Sequence, residues 1–98
     1  MTIRDSKGQQ IYGQNTFFAK VPTDDLNDGD EMEVLFRQSV NLGAGDYLIS
    51  LGLTRFEGDR LTVIHRRYDA IQLKVLNTDG SFGIANCFSE ITSSILGN

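Results

Sequence analysis

The sequence predicts an all-β domain built as an antiparallel sandwich, on three observations. First, no window keeps apolar residues at sustained helical spacing, so no helix longer than about two turns is expected. Second, short apolar stretches recur between turn signals, with ten glycines against one proline. That is the pattern of six to eight short antiparallel strands, an estimate that follows from turn spacing. Third, Gly43-Ala44-Gly45-Asp46-Tyr47 sets a tyrosine just after a tight glycine turn, at the head of an alternating strand. This is the arrangement of a tyrosine corner and gives the sandwich an immunoglobulin-like cast.

Along the chain, Met1–Asp5 reads as a short strand, Ser6-Lys7-Gly8 as a turn, and Gln9–Tyr12 as the returning strand of a hairpin. Asn15–Val21 follows and is ended by Pro22; an extended path would point the adjacent Phe17 and Phe18 to opposite sides. Met32–Val40 alternates, with Met32, Val34, Phe36, Gln38 and Val40 on one side, and predicts a half-buried strand interrupted by Gln38 near its end. Tyr47–Phe56 is apolar on both faces and predicts a central strand covered on both sides. A turn at Glu57-Gly58-Asp59 leads to a short strand at Leu61–Ile64. Ile71, Leu73 and Val75 then alternate with Gln72 and Lys74, which predicts a separate strand with one wet face. Asn77–Gly80 carries Asp-Gly, a type I′ hairpin signal, and Phe82–Phe88 is expected as a last full strand. The tail from Ser89 has no dominant period.

Composition narrows the function. The chain has 98 residues, enough for one modest core, and residues 1–98 are expected to form a single domain. A net charge of −4 argues against nucleic acid and against an anionic membrane surface, since nine basic residues are dispersed among thirteen acids. The apolar runs are far shorter than a membrane-spanning helix requires. The amino terminus lacks the charged-then-apolar pattern of a signal peptide. The lone Cys87 makes no internal disulfide and is expected to be a small buried hydrophobe.

Catalytic signatures are absent: there is no nucleophile elbow, no phosphate-cradling Walker loop and no dinucleotide fingerprint. No enzyme activity and no cofactor are expected. The acidic loop Asp24–Glu31 has the carboxylates and glycine of a calcium loop. With Gly29 at the sixth position, Leu26 falls at the third and Leu35 at the twelfth, where a bidentate Glu belongs, so the EF-hand pattern fails. A solvated turn is the default there and a looser calcium site the alternative. The remaining polar concentration is His65-Arg66-Arg67-Tyr68-Asp69, set between two apolar segments. Planar hydrogen-bonding groups beside an aromatic face suit a sugar, and His65, Arg67, Tyr68 and Asp69 are the candidate carbohydrate-binding residues. Strict alternation would place His65, Arg67 and Asp69 on one side and Arg66 and Tyr68 on the other, so a bulge or bend between Arg67 and Tyr68 is needed to reunite them. The structural alternative has Tyr68 packing and Asp69 pairing with an arginine.

Three blocks, IRDSKGQQIYGQNT (3–16), LGAGDYLISLGL (42–53) and HRRYDAIQLKV (65–75), taken in this order and spacing, resemble the C-terminal domain of Wzt. Wzt is the ATP-binding subunit of bacterial ABC transporters that export O-antigen polysaccharide. The likeness covers roughly residues 3–90. It implies a non-catalytic carbohydrate-binding sandwich that recognises the polysaccharide for export, in the cytoplasm and peripheral to the inner membrane through the transporter. It also implies association with the transporter's ATPase and membrane subunits, and a homodimer that exchanges its C-terminal strand. In the family, strands precede the block matching Ile3–Gly8, which here opens the chain; the expectation is a shortened module with an unpaired edge. Two other functions compete with glycan binding: a purely structural dimerisation module and, more remotely, a glycosidase fragment using paired carboxylates.

Overall fold

The computed structural model describes residues 1–23, 25–77 and 79–97. Four strands, β1 (Thr2–Asp5), β2 (Gln10–Gly13), β3 (Gly45–Glu57) and β4 (Arg60–Val75), form one sheet in the order β2-β1-β3-β4. Every pairing is antiparallel. Among the described residues there is no helix, so the all-β antiparallel class read from the sequence holds.

The first hairpin forms as expected, and Asp5 explains its turn. Its carboxylate accepts the backbone N–H of Lys7 at 3.0 Å and of Gln9 at 2.8 Å, while Gly8 takes a positive φ of 86°. An Asx-type turn of this kind closes the chain without a long loop. The tyrosine corner is also present. Tyr47 is buried, and its hydroxyl donates to the Gly43 carbonyl at 2.7 Å. Gly43 must be glycine here, because a Cβ would run into the Gly83 carbonyl oxygen.

The central position of β3 holds, but its cover on both faces does not. β1 reaches along β3 only from Tyr47 to Ser50. Beyond Ser50 the sheet continues as a two-stranded ribbon, and Leu51, Leu53 and Phe56 are exposed. The two strands expected on either side of the polar stretch are a single 16-residue strand. A long partner explains this: β3 offers ladder positions opposite His65, Arg66 and Arg67, and on a one-sided ribbon charged side chains cost nothing to project into water.

Other segments depart further from expectation. Met32–Val40 forms no strand; its alternation is real, but a strand needs a ladder partner and none is provided among the described residues. Asn15–Val21 folds into turns, with the Asn15 carboxamide oxygen accepting the Phe18 N–H at 2.7 Å and Lys20 at φ 57°. Phe17 and Phe18 therefore stay together at 5.8 Å, and Phe17 packs edge-on against Phe56 at 5.0 Å. Phe82–Phe88 contributes one antiparallel bridge, Leu42↔Ala85, because Gly83 and Phe88 adopt positive φ and break the extended path. Of the Asn77–Gly80 turn, Thr78 lies outside the described residues. The remainder is an Asx turn, in which the Asn77 side chain accepts the N–H groups of Asp79 and Gly80, and not a type I′ hairpin. Cys87 is exposed, not buried.

The apolar core is correspondingly small. Among the described residues, Ile3 and Tyr47 are the buried hydrophobic side chains, set where β1 pairs with β3. The radius of gyration is 19.3 Å, against about 13 Å for a compact domain of this length. The accessible surface is 8821 Å², whereas a compact monomer of 10.9 kDa exposes roughly 5,600 Å².

Candidate functional site

In an antiparallel ladder, directly opposed residues share a face. Ile3, Tyr47, Ile49, Leu51, Leu53, His65, Arg67, Ile71 and Leu73 thus belong to one face, the face of the small core. Thr2, Arg4, Leu48, Ser50, Gly52, Arg66, Gln72 and Lys74 belong to the other. This partition separates the charged stretch at its own alternation, with His65 and Arg67 on the core face beside Leu53 and Leu51.

The register then breaks. Ile49 pairs with Ile71, but Leu51 pairs with Arg67, so Tyr68, Asp69 and Ala70 all lie opposite the single residue Ser50. A bulge is therefore present, one step beyond the Arg67–Tyr68 junction where the sequence places it, and it does not bring all four candidate residues to one face. Asp69 sits at its apex with φ 50°, a left-handed conformation that aspartate tolerates better than most residues. Its N–H, with no ladder carbonyl to meet, donates to the Ser50 hydroxyl at 2.9 Å. Its carboxylate reaches across β3 to the Arg4 guanidinium on β1, at 3.3 Å.

The bulge reunites two of the four predicted residues and parts them from the others. Asp69 shares the outer face with Tyr68, because Ser50 and Arg4, which hold it, project there. Tyr68 is 65% exposed and is flanked by Arg66, whose guanidinium carbon lies 5.8 Å from the ring centroid and whose Nη1 is 3.4 Å from the hydroxyl. Arg66 lies over Gly52, where the missing side chain leaves a shallow floor. The outer strip is therefore Arg4, Asp69, Tyr68 and Arg66 above Ser50 and Gly52. His65 and Arg67 are exposed on the opposite face, where no hydrogen bond ties them to Tyr68 or Asp69.

Three side chains of this strip, Ser50, Arg66 and Arg4, are not among the candidate residues the sequence offers. Ser50 had a signal, as a small polar residue within Leu48–Leu53. Arg66 was visible two positions before Tyr68, at the spacing of a shared strand face. Arg4 had none, being brought in by long-range pairing of β1 with β3.

The strip is an open sheet surface. Two grooves lie elsewhere: one of about 430 Å³ is lined by residues including Thr16, Pro22, Val34 and Phe36, and one of about 370 Å³ by Ile3, Tyr12 and residues from Gln38 to Leu42. Among the described residues, no cluster of three or more histidine, cysteine, aspartate or glutamate side chains is placed to hold a metal ion. Asp24, the first ligand position of the calcium-loop pattern, lies outside the described residues.

Fold and surface together define an antiparallel all-β module that presents Arg4, Arg66, Tyr68 and Asp69 on an open sheet surface. More particularly, the chain belongs to the Wzt C-terminal domain family, whose model matches residues 1–87. A solved structure described as the crystal structure of the C-terminal domain of Wzt is similar to it, with 29% sequence identity and a TM-score of 0.64. The match covers 95% of this chain and 57% of that one, so the chain spans little more than half the length of its structural relative. No curated protein sequence matches the chain.

Proposed function

We propose that residues 1–98 form a non-catalytic carbohydrate-binding module that recognises O-antigen polysaccharide for export by an ABC transporter. Membership of the Wzt C-terminal domain family supports the transporter setting, and it suggests a cytoplasmic position, peripheral to the inner membrane, beside the ATPase and membrane subunits. The observation that carries glycan recognition is the bulge at Asp69. It holds an exposed tyrosine ring, a guanidinium and a carboxylate on one rigid face. The ring offers an apolar face to the C–H side of a pyranose, and the flanking groups offer donors and acceptors to its hydroxyls.

His65 and Arg67 join the same reading because β4 is an edge strand. A polysaccharide laid over that edge meets Tyr68 and Asp69 on one side and His65 and Arg67 on the other. Calorimetric titration of the chain with O-polysaccharide, released by mild acid from the lipopolysaccharide of the source strain, tests this. Saturable binding that weakens in Tyr68→Ala and Asp69→Ala, with both variants folded, is expected; losing one sugar hydrogen bond costs about 1–3 kcal/mol. Absence of binding by the wild-type chain overturns the reading.

A second reading, a module whose work is dimerisation, is favoured by the surface. The excess over a compact monomer is roughly 3,200 Å² per chain, more than the roughly 1,000–2,500 Å² that each partner of an obligate homodimer buries, so the chain has ample surface for such an interface. Ile91, Ile95 and Leu96 are at least 87% exposed, as an exchanged C-terminal segment would be before it meets its partner. The two readings are compatible, and the titration separates a dimer that binds glycan from one that does not.

A further inference from the structure

From the geometry we infer that Ser50 is a positioning residue for glycan recognition: its hydroxyl stands in for the ladder carbonyl that the bulge removes. The inference rests on the glycan-binding reading, and it adds to that reading a residue that touches no sugar. Ser50 is 7% exposed and lies at the one point of β3 where a single residue faces three of β4. A backbone N–H turned out of its ladder needs another acceptor, and the Asp69 N–H finds it in Ser50 Oγ at 2.9 Å.

What this bond controls is the direction of two neighbouring side chains. With Asp69 held at φ 50°, its carboxylate emerges on the outer face and reaches Arg4, and Tyr68 stands beside Arg66. Were Asp69 to relax to an extended φ, alternation would return its side chain to the face of Arg67 and His65. The Arg4 contact would break, and the strip would lose its carboxylate. The Arg4–Asp69 pair is too exposed to hold the conformation by itself, since ion pairs of this kind contribute little. Ser50 is the buried anchor.

The experiment compares Ser50→Ala, which removes the acceptor, with Ser50→Thr, which keeps it. Ser50→Cys, a weaker acceptor of similar size, serves if Ser50→Ala fails to fold. Two readouts are taken on the 98-residue chain: affinity for the acid-released O-polysaccharide, and hydrogen exchange and scalar coupling of the Asp69 amide by NMR. Ser50→Ala is expected to weaken affinity about two- to tenfold, the range spanned by one net hydrogen bond. It should also unprotect the Asp69 amide and shift its coupling toward the extended value, while Ser50→Thr keeps both near wild type.

The inference is overturned if Ser50→Ala leaves the Asp69 amide as in wild type, or if Ser50→Thr loses affinity as fully as Ser50→Ala does. If the wild-type chain binds no polysaccharide, the glycan reading fails, and with it the recognition role. The NMR arm then still decides whether Ser50 sets the bulge.

Discussion

Replacing Tyr47 with phenylalanine isolates the tyrosine corner from everything else the ring does. The substitution keeps a buried aromatic at 6% exposure and removes only the hydroxyl that donates to Gly43 at 2.7 Å. Two losses follow. The hydrogen bond itself contributes about 0.5–1.5 kcal/mol net, and the Gly43 carbonyl, in a buried residue, is left without that donor. Together these predict a destabilisation of about 1–3 kcal/mol, or about 4–8 °C in Tm for each kcal/mol in a domain of this size. The damage should spread along a defined route, because the Gly43 N–H donates to the Ile84 carbonyl and the Asn86 N–H to Asn41. Urea denaturation at one fixed protein concentration measures the change, the concentration being held because self-association would move the midpoint. Tyr12→Phe, at a residue 43% exposed, is the control and should stay within about 0.5 kcal/mol. The reasoning is refuted if Tyr47→Phe matches that control, or if the Gly43 and Asn86 amides keep their hydrogen-exchange protection.

Gly43→Ala should destabilise more than Tyr47→Phe, since the new Cβ meets the Gly83 backbone and not a side chain that can swing away; denaturation of the two variants side by side ranks them. Asp79 should titrate below its ordinary value of 3.8, because Ser81 first and Asn86 after it hydrogen-bond to its carboxylate. The sign follows from linkage: a carboxyl lowered on folding stabilises fully above pH 3.8, and the contribution fades as pH falls through the lower folded value. NMR titration of the Asp79 carboxyl should give that lowered value and should move back toward 3.8 in Ser81→Ala. Sedimentation at micromolar concentration should find a dimer, and a stable monomer would remove the support that the excess surface lends to self-association.

How much of this was legible in the sequence depends on the range of the interaction that fixes each element. The Asp5 turn and the tyrosine corner were readable because their donors and acceptors lie within four residues of each other. Alternation alone failed at Met32–Val40, where the pattern is broken only at Leu35 and Gln38, while the clean alternation of Ile71–Val75 does form a strand. The difference is a partner: Ile71, Leu73 and Val75 face Ile49, Tyr47 and Gly45, whereas nothing among the described residues takes up the earlier segment. Period marks a segment that can be a strand, and the ladder decides whether it is one.

The polar stretch shows the same limit from the other side. Five charged or polar residues between two apolar runs look like a connection, because a strand is ordinarily recognised by what it buries. Here β3 supplies hydrogen-bonding partners for residues with no apolar face to offer, and the strand runs through them. The face each residue occupies could be read only as far as the next register shift, since alternation assumes one residue per ladder step. Between Ile49 and Leu51 that assumption fails by two residues, and Asp69 moves from the company of Arg67 to that of Tyr68. Alternation suggests a bulge between Arg67 and Tyr68, whereas it is centred on Asp69, because the Asp69 N–H is held by Ser50 nineteen residues earlier in the chain. A surface strip assembled from β1, β3 and β4 thus depends on contacts across the whole width of the sheet. Its geometry should therefore respond to Ser50 as much as to the residues a sugar would touch, and less to Arg4, whose ion pair with Asp69 is exposed.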